Sequence, residues 1–114
     1  MADNEVLLSD FGVDKAARYN EGKPRLGLLP PELMVEVAKV MTFGASKYGD
    51  DNWKKGLSDE NCLSSCMRHL AKYMAGNEFD AESGLPHLAH AACNIAFLLH
   101  FHYPVMEEQI KSEK

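Results

Sequence analysis

The sequence lacks the features that mark secreted and membrane proteins. Residues 1–5 carry no basic side chain, and no long apolar run follows them. We therefore expect neither a signal peptide nor a membrane-spanning segment. The cysteines number three, and an odd set of this kind favours reduced packing residues over a disulfide framework. Together these absences predict a cytoplasmic protein.

The motifs of several large enzyme classes are also missing. The chain has no Gly-rich phosphate loop, no nucleophile elbow and no cysteine–histidine dyad. Positive charge is scarce, because 12 Lys and Arg stand against 17 Asp and Glu, for a net charge of −5. This balance argues against a protein held on a nucleic-acid polymer by its overall charge. An acidic protein that binds phosphates needs a local group of cations or a metal.

The length and composition are those of one globular domain. The 114 residues are 46% apolar, which is enough for a single core. We predict a flexible arm over residues 1–17, an all-α domain over residues 18–104 and a charged tail over residues 105–114. The predicted fold is a bundle of three principal helices, or four if the tail is helical.

The first predicted helix has clear signals at both ends. No segment shows the alternation of a strand, and apolar residues recur instead at helical spacing. The helix runs from Pro31, a residue suited to the first turn, to about Tyr48. Gly49 follows as a left-handed C-cap.

Two further helices are predicted downstream. The second begins at Ser58 and runs to about Ala75. The third has Pro86 in its first turn and is apolar almost all round, which predicts a place in the middle of the core. Three helices this apolar cannot hide all their surfaces in one small bundle, so we expect a homo-oligomer. The predicted core stripe of the second helix consists of Leu63, Met67, Leu70 and Met74.

The third helix carries three polar side chains in one line. His87, His90 and Asn94 stand at i, i+3 and i+7, which places them on one face. A buried helix must find partners for such groups. They are either core residues satisfied by a facing helix or members of a site. Three of them in register favour a site, but the sequence leaves both interpretations open.

Carboxylates and another imidazole extend this line into a candidate metal centre. Glu32 and Glu36 share a face of the first helix, where solvent exposure is the ordinary alternative. Such side chains, projecting from facing helices, commonly hold a divalent ion in a bundle. Oxygen ligands suit Mg²⁺ or Mn²⁺, and imidazole shifts the preference toward Mn²⁺, Fe²⁺, Co²⁺ or Zn²⁺. The predicted metal ligands are Glu32, Glu36, Asp80, His87 and His90, with His69 nearby.

Cations near these groups would suit an anionic ligand such as a nucleotide phosphate. The loop at residues 18–25 holds three of them and is equally consistent with a solvated loop and with a phosphate contact. Metal-assisted hydrolysis is the reaction class that the absent motifs leave. The cations concerned are Lys23, Arg25, Lys47, Arg68 and Lys72.

Five motifs, in order, resemble one family of small phage proteins. They are RYNEGKPR at residues 18–25, LLPPE at 28–32, FGA-x-KYG-x-x-NW at 43–53, RHL at 68–70 and SGLPHLAH at 83–90. The series is similar to the phage dATP/dGTP diphosphohydrolases, relatives of the MazG-like all-α nucleotide pyrophosphohydrolases, over about residues 18–101. The resemblance implies an oligomeric, Mg²⁺-dependent enzyme of the host cytoplasm. Such an enzyme cleaves a deoxynucleoside triphosphate, here a purine one, to a monophosphate and pyrophosphate.

The polar faces of the first and third predicted helices motivate a mechanism, which we state as a hypothesis. The carboxylates would hold the ion that polarises the α-phosphate, and His69 or His87 would orient the water or the leaving group. Tyr48 or Trp53 would stack on the base, although Trp53 is equally a candidate plug that docks its own loop. The predicted catalytic residues are Glu32, Glu36, His69 and His87. The predicted substrate-binding residues are Lys23, Arg25, Lys47, Tyr48, Asn52, Trp53, Arg68, Lys72 and Asn94.

The carboxylate pattern of the wider superfamily is altered in this chain. The superfamily uses E-x-x-E on one helix and E-x-x-D on a later one. Here Glu32 and Glu36 are spaced E-x-x-x-E, and His87 and His90 stand where the later carboxylates would be. One alternative is therefore a protein that binds a nucleotide without cleaving it, such as a phage sponge for a host signalling nucleotide. Another is a helical interaction protein whose polar residues satisfy one another.

Overall fold

The computed structural model describes residues 16–17 and 21–102. Most of the predicted arm and all of the predicted tail lie outside these residues. Within them the chain forms three α-helices and no strand, which confirms the all-α fold class. Helix α1 is Pro31–Tyr48, α2 is Asp59–Met74 and α3 is His87–Phe101, with short 3₁₀ turns at Leu26–Leu28 and Asn52–Lys55. None of the described helices combines the length and the apolar character needed to cross a membrane.

Local signals set the ends of the helices. Pro31 opens α1, where its missing N–H is not needed. The hydroxyl of Ser58 accepts the N–H of Asn61 at 3.1 Å and caps α2. Pro86 is the N-cap of α3 rather than a member of its first turn. Gly49 caps α1 as predicted, but its φ of 92° and ψ of 155° are not the left-handed helical conformation.

Helix α3 is the element against which the other two pack. Its Ala89 and Cys93 join Val40 of α1 in the buried core, and Ala91 is buried as well. The predicted central position of this helix therefore holds for these residues. It does not hold for Leu88, Ile95 and Leu99, which are between 44% and 49% exposed.

The predicted core stripe of α2 is wrong. Its four large apolar side chains, Leu63, Met67, Leu70 and Met74, are between 37% and 84% exposed. Helix α2 instead buries Cys62 and Cys66, and Ser65 and His69 beside them are half-buried. These four positions follow the spacing i, i+3, i+4, i+7 of a single helix face. That face meets α3, where it pairs with polar side chains.

The cap of α2 provides a test of the local analysis. Replacing Ser58 with alanine removes the side-chain acceptor for the Asn61 N–H and should lower the free energy of unfolding by about 1 kcal/mol. Urea unfolding followed by helical circular dichroism measures the change. Ser64→Ala, at an exposed position inside the same helix, is the matched control and should cost nothing. Equal effects of the two substitutions would contradict the capping role.

Candidate functional site

The segment between α2 and α3 is a closed loop that fixes Asp80. The N–H of Asp80 donates to the carbonyl of Leu85 at 2.8 Å, and the N–H of His87 donates to the carbonyl of Glu78 at 2.9 Å. Gly84, with a φ of 72°, makes the return turn, and this conformation suits glycine. The loop therefore holds the Asp80 carboxylate beside the first turns of α3.

Three imidazoles and one carboxylate meet at this loop; we call them the histidine cluster, His69, Asp80, His87 and His90. The Nδ1 atoms of His69 and His87 lie 2.9 Å apart. The ring of His69 stacks on that of His90, with centroids 4.6 Å apart and planes 10° apart. Single ligand atoms of His69, Asp80 and His87 all lie within 4.8 Å of one another. The cluster joins α2, α3 and the loop between them.

Ser83 connects Asp80 to His90. Its backbone N–H and its hydroxyl approach Oδ2 of Asp80 at 2.8 Å and 2.9 Å, and the hydroxyl also lies 2.7 Å from Nε2 of His90. The hydroxyl has one proton, and an ionised carboxylate is the stronger acceptor. We therefore assign that proton to the Asp80 contact, and Nε2–H of His90 donates to the Ser83 oxygen.

Burial and neighbouring charges shift the pKa values in the cluster. Burial is the largest cause that lowers the pKa of His69, and the charges of His90 and His87 add to it. Burial also lowers the pKa of His90, against an opposing contribution from Asp80. Burial by itself would raise the pKa of Asp80, but the two hydrogen bonds from Ser83 outweigh it and the pKa is lowered. At neutral pH the cluster therefore holds an ionised carboxylate beside imidazoles, of which His69 and His90 are neutral.

The polar line of α3 is only partly satisfied by its neighbours. The amide of Asn94 donates to the hydroxyl of Ser65 at 3.1 Å and to the carbonyl of His90 at 3.0 Å, as a core residue would. His87 is only 1% exposed, yet its Nε2 is buried without a hydrogen-bond partner. Mutual satisfaction therefore explains Asn94 but does not explain His87.

An open cleft of about 760 Å³ lies beside the cluster, a volume in the range of small-molecule sites. The C-terminal half of α1, the N-terminal half of α2 and the middle of α3 line it. His69, Asp80 and His90 belong to one wall, whereas His87 lies behind it. The predicted site residues that line the cleft are Lys47, Tyr48, Asn52, Trp53, His69, Asp80, His90 and Asn94.

Trp53 docks its turn on the C-terminal half of α3. Its ring centroid lies 4.8 Å from that of Phe97 and 4.8 Å from that of His100. These contacts dock the turn as the plug interpretation expects. Trp53 and Phe97 also line the cleft, and Tyr48, 63% exposed, lines it from the end of α1. The cleft thus has an aromatic side as well as a polar side.

The charge of the cleft is predominantly negative. Lys47 is its one lysine among the lining residues and is paired with Glu82. The hydrogen bond that Lys47 donates to Glu82 is the main cause that raises the pKa of Lys47. Four carboxylates line the same space, those of Asp50, Asp51, Asp80 and Glu82. A highly charged anion would therefore need a cation to accompany it here.

Seven predicted site residues do not line the cleft, namely the buried His87 and six residues of α1, α2 and the segment before α1. Glu36 accepts a hydrogen bond from Lys39 at 3.0 Å on α1, and Glu32 is exposed in the first turn of that helix. The predicted metal set is therefore divided within one chain: Asp80, His87 and His90 meet, and the two glutamates lie elsewhere. Lys23, Arg25, Arg68 and Lys72 are likewise exposed and outside the cleft lining.

Several residues of the site were not predicted, among them three that support predicted ones. Ser83 bridges Asp80 and His90, Ser65 receives Asn94, and Phe97 supports Trp53. A serine before a glycine is a recognised turn signal, so Ser83 was open to prediction. Phe97 is three residues beyond Asn94, and extending the polar line by one turn of the helix would have reached it.

Fold and site together define an all-helical protein with an open cleft beside a cluster of imidazoles and a carboxylate. The chain belongs to the family described as dATP/dGTP diphosphohydrolase, N-terminal, whose family model matches residues 13–110. This confirms the predicted family. The chain is 40% identical over 81 residues to a dATP/dGTP diphosphohydrolase of Salmonella phage PMBT28.

The match with the phage protein covers 71% of this chain and 28% of the relative. The chain therefore spans less than a third of the length of the curated relative that it matches. No solved structure matches the chain.

The shifted histidines predict an acid-sensitive fold. Folding lowers the pKa of His69 and His90, so below about pH 6.5 the unfolded chain binds more protons than the folded one. Stability is fully present above that pH and is lost as the pH falls toward the folded pKa values. Calorimetry in a metal chelator should show a lower melting temperature at about pH 5.5 than at about pH 7.5. His90→Asn should flatten this slope, and a rise in stability on acidification would contradict the prediction.

Proposed function

We propose that this chain binds a purine deoxynucleoside triphosphate in the cleft and, with a divalent ion, hydrolyses it to a monophosphate and pyrophosphate. The name of the Salmonella phage relative supports the substrate and the reaction. The observation that carries the proposal is a cleft of about 760 Å³ with an aromatic side and a polar side. A nucleotide has the same division between its base and its phosphates.

The distance between the polar and the aromatic side chains of α3 suits a nucleotide whose base lies at the aromatic side of the cleft and whose phosphates lie at the polar side. His90 and Phe97 are seven residues apart and lie on one face of the helix, about 10 Å apart along its axis. That distance is comparable with the separation of the base from the second phosphate in an extended nucleotide. The base would lie near Tyr48 and Trp53, and the phosphates would lie near Lys47 and the histidine cluster.

The proposed Mg²⁺ or Mn²⁺ follows from the charge of the cleft. Four carboxylates and one lysine would repel a bare triphosphate, so a divalent ion must accompany it. When bound, the ion would neutralise the phosphates and polarise the α-phosphate. The cluster itself is a poor resident site for Mg²⁺, because it offers one carboxylate among three imidazoles and Mg²⁺ requires oxygen ligands. We therefore propose that Mg²⁺ arrives with the nucleotide.

The proton transfer is assigned to His90. A water oxygen attacks the α-phosphorus, the bond to the oxygen that bridges to the β-phosphorus breaks, and pyrophosphate leaves. His90 lines the cleft, and its Nε2 proton is held by Ser83, so Nδ1 has a lone pair that can take the proton of the water. His69 is the second imidazole on this wall, and the predicted role of His87 is less favoured because that ring is behind the wall.

The test measures binding and turnover separately. Trp53 is the single tryptophan of the chain, so its fluorescence should change on titration with dATP or dGTP in the presence of Mg²⁺ or Mn²⁺. Pyrophosphate release is then assayed on the same preparation. Lys47→Ala should weaken binding about tenfold or more, the value of a charged hydrogen bond. Lys39→Ala removes a lysine of the same helix outside the cleft lining and should leave binding unchanged.

Each outcome distinguishes one alternative. Binding without pyrophosphate release under either metal would overturn the hydrolase and favour the sponge. The absence of both would favour the helical interaction protein. Equal effects of the Lys47 and Lys39 substitutions would contradict the placement of the phosphates.

We also propose that the chain forms a homo-oligomer through the exposed apolar side chains of α2. Met67, 66% exposed, lies at the middle of that stripe. Met67→Glu should convert an oligomer to a monomer because burial of a charge opposes association. Size-exclusion chromatography with light scattering measures the state, with Lys39→Glu on α1 as the control. A wild-type chain that is monomeric at high concentration would contradict this proposal.

A further inference from the structure

We propose that His69, Asp80 and His87 form a binding site for a nitrogen-preferring transition-metal ion, of the class of Zn²⁺, Co²⁺ or Ni²⁺. The inference deepens the proposed function by naming a resident metal beside the cleft, separate from the Mg²⁺ that would arrive with the nucleotide. It does not require hydrolysis, because the ion is bound by the protein alone.

The positions of the donor atoms favour metal binding. The two Nδ1 atoms, of His69 and His87, lie 2.9 Å apart. Adjacent nitrogen ligands of a six-coordinate ion are about 3.0 Å apart when the metal–nitrogen bonds are about 2.1 Å long. Asp80 supplies a third ligand atom, and all three lie within 4.8 Å of one another. Two ligands of one ion are at most about 4.2 Å apart, so small side-chain rotations would complete the site. In the described part of the chain no other group of three such donors comes this close.

A hydrogen bond between the two histidines is the alternative explanation of the same contact. It leaves Nε2 of His87, in a ring that is 1% exposed, without a partner. An ion bound at Nδ1 leaves the same Nε2 as an unpaired N–H, so this atom does not decide between the two explanations. The number and type of the converging donor atoms favour the ion, and the titration below decides.

The chemistry of the donor set selects the class of ion. Two imidazoles and one carboxylate match the preferences of Zn²⁺, Co²⁺ and Ni²⁺ better than those of Mg²⁺, which requires oxygen ligands. His69 and Asp80 line the cleft, which gives the ion a route to the site from solvent.

The loop holds the carboxylate ready for such an ion. Ser83 bonds Asp80 through its N–H and hydroxyl, and the ring of His90 stacks on that of His69. Replacing a group that orients a metal ligand in this way commonly lowers metal affinity by roughly 10–100-fold. Ser83 and His90 are therefore positioning residues for the proposed site.

The experiment uses the full chain without an affinity tag. Co²⁺ is titrated and its visible d–d absorption recorded, and Zn²⁺ binding is measured by calorimetry in the presence of millimolar Mg²⁺. We expect one ion per chain that Mg²⁺ does not displace. His69→Ala and His87→Ala should each weaken binding about 100-fold or more, since removal of a ligand costs at least as much as loss of its support. His102→Ala, which removes an exposed imidazole paired with Asp59, should retain wild-type affinity.

Controls separate a failed site from a failed fold. Circular dichroism is recorded for every variant. If His87→Ala is unfolded, the metal affinities of His69→Ala and Asp80→Asn decide whether the site exists, because neither of these side chains is fully buried. A thiolate charge-transfer band in the Co²⁺ spectrum would assign the ion to cysteine and overturn the proposal. So would Zn²⁺ binding that survives both His69→Ala and Asp80→Asn, or no binding by the folded wild-type chain.

The metal test is independent of the nucleotide test. Metal affinity is measured without nucleotide, and nucleotide binding is measured through Trp53 after the transition metal has been removed by chelation. If the wild-type chain binds the nucleotide but no transition metal, this inference alone is overturned. Metal binding without nucleotide binding would overturn the proposed function alone.

Discussion

The pairing of polar side chains between α2 and α3 is the constraint on which the structure depends. Asn94 and His87 lie on the inner face of the central helix, and each reaches a partner on α2: Asn94 bonds Ser65 at 3.1 Å, and His87 contacts His69 at 2.9 Å. A buried polar group without a partner costs about 1–3 kcal/mol. Only one rotation of α2 about its axis brings both partners into place, so these contacts select the face that α2 turns inward.

The face that α2 turns toward α3 determines which side chains are buried between the two helices and which are left on the outer surface of α2. Small residues line the seam, because Cys62 and Cys66 of α2 are buried and the buried Cys93 of α3 lies close to Cys62. Small side chains allow the helices to approach closely, which the short imidazole contacts require. The larger Leu and Met residues of α2 are consequently turned outward, where they are available to a partner. The cleft lies where α1 packs against α3 and the loop of Asp80 closes one end.

The sequence predicted the helices better than their faces. Pro31, Ser58 and Gly49 act within one turn of the chain, so the helix ends follow from local chemistry. The inward face of α2 depends on what α3 presents, and hydrophobic spacing alone therefore selected the wrong stripe. An amphipathic pattern identifies the apolar side of a helix, but it does not say whether the chain's own core covers that side.

The same distinction explains which site residues were predicted. His87, His90 and Asn94 are spaced within one helix, and Asp80 is close to them in sequence, so their proximity required little tertiary information. Whether Glu32 joins the other predicted ligands depends on where α1 crosses α3, which is tertiary information. That crossing is centred on Val40, with Val37 and Met41 packed beside it, and it leaves the first turn of α1 outside the core. Spacing along α1 contains no information about this position.

The buried thiols give the seam between α2 and α3 an internal reporter. Cys62, Cys66 and Cys93 are all free and buried. Burial raises the pKa of Cys93 to about 11, with a smaller contribution from Cys62, and thiolates are the reactive form. Cys62 and Cys93 also line the open cleft, whereas Cys66 is buried and lies outside its lining. A thiol reagent can therefore modify Cys66 only when the helices separate. The rate of alkylation measures how often that opening occurs, and hence the free energy of local unfolding of the seam, without any introduced probe.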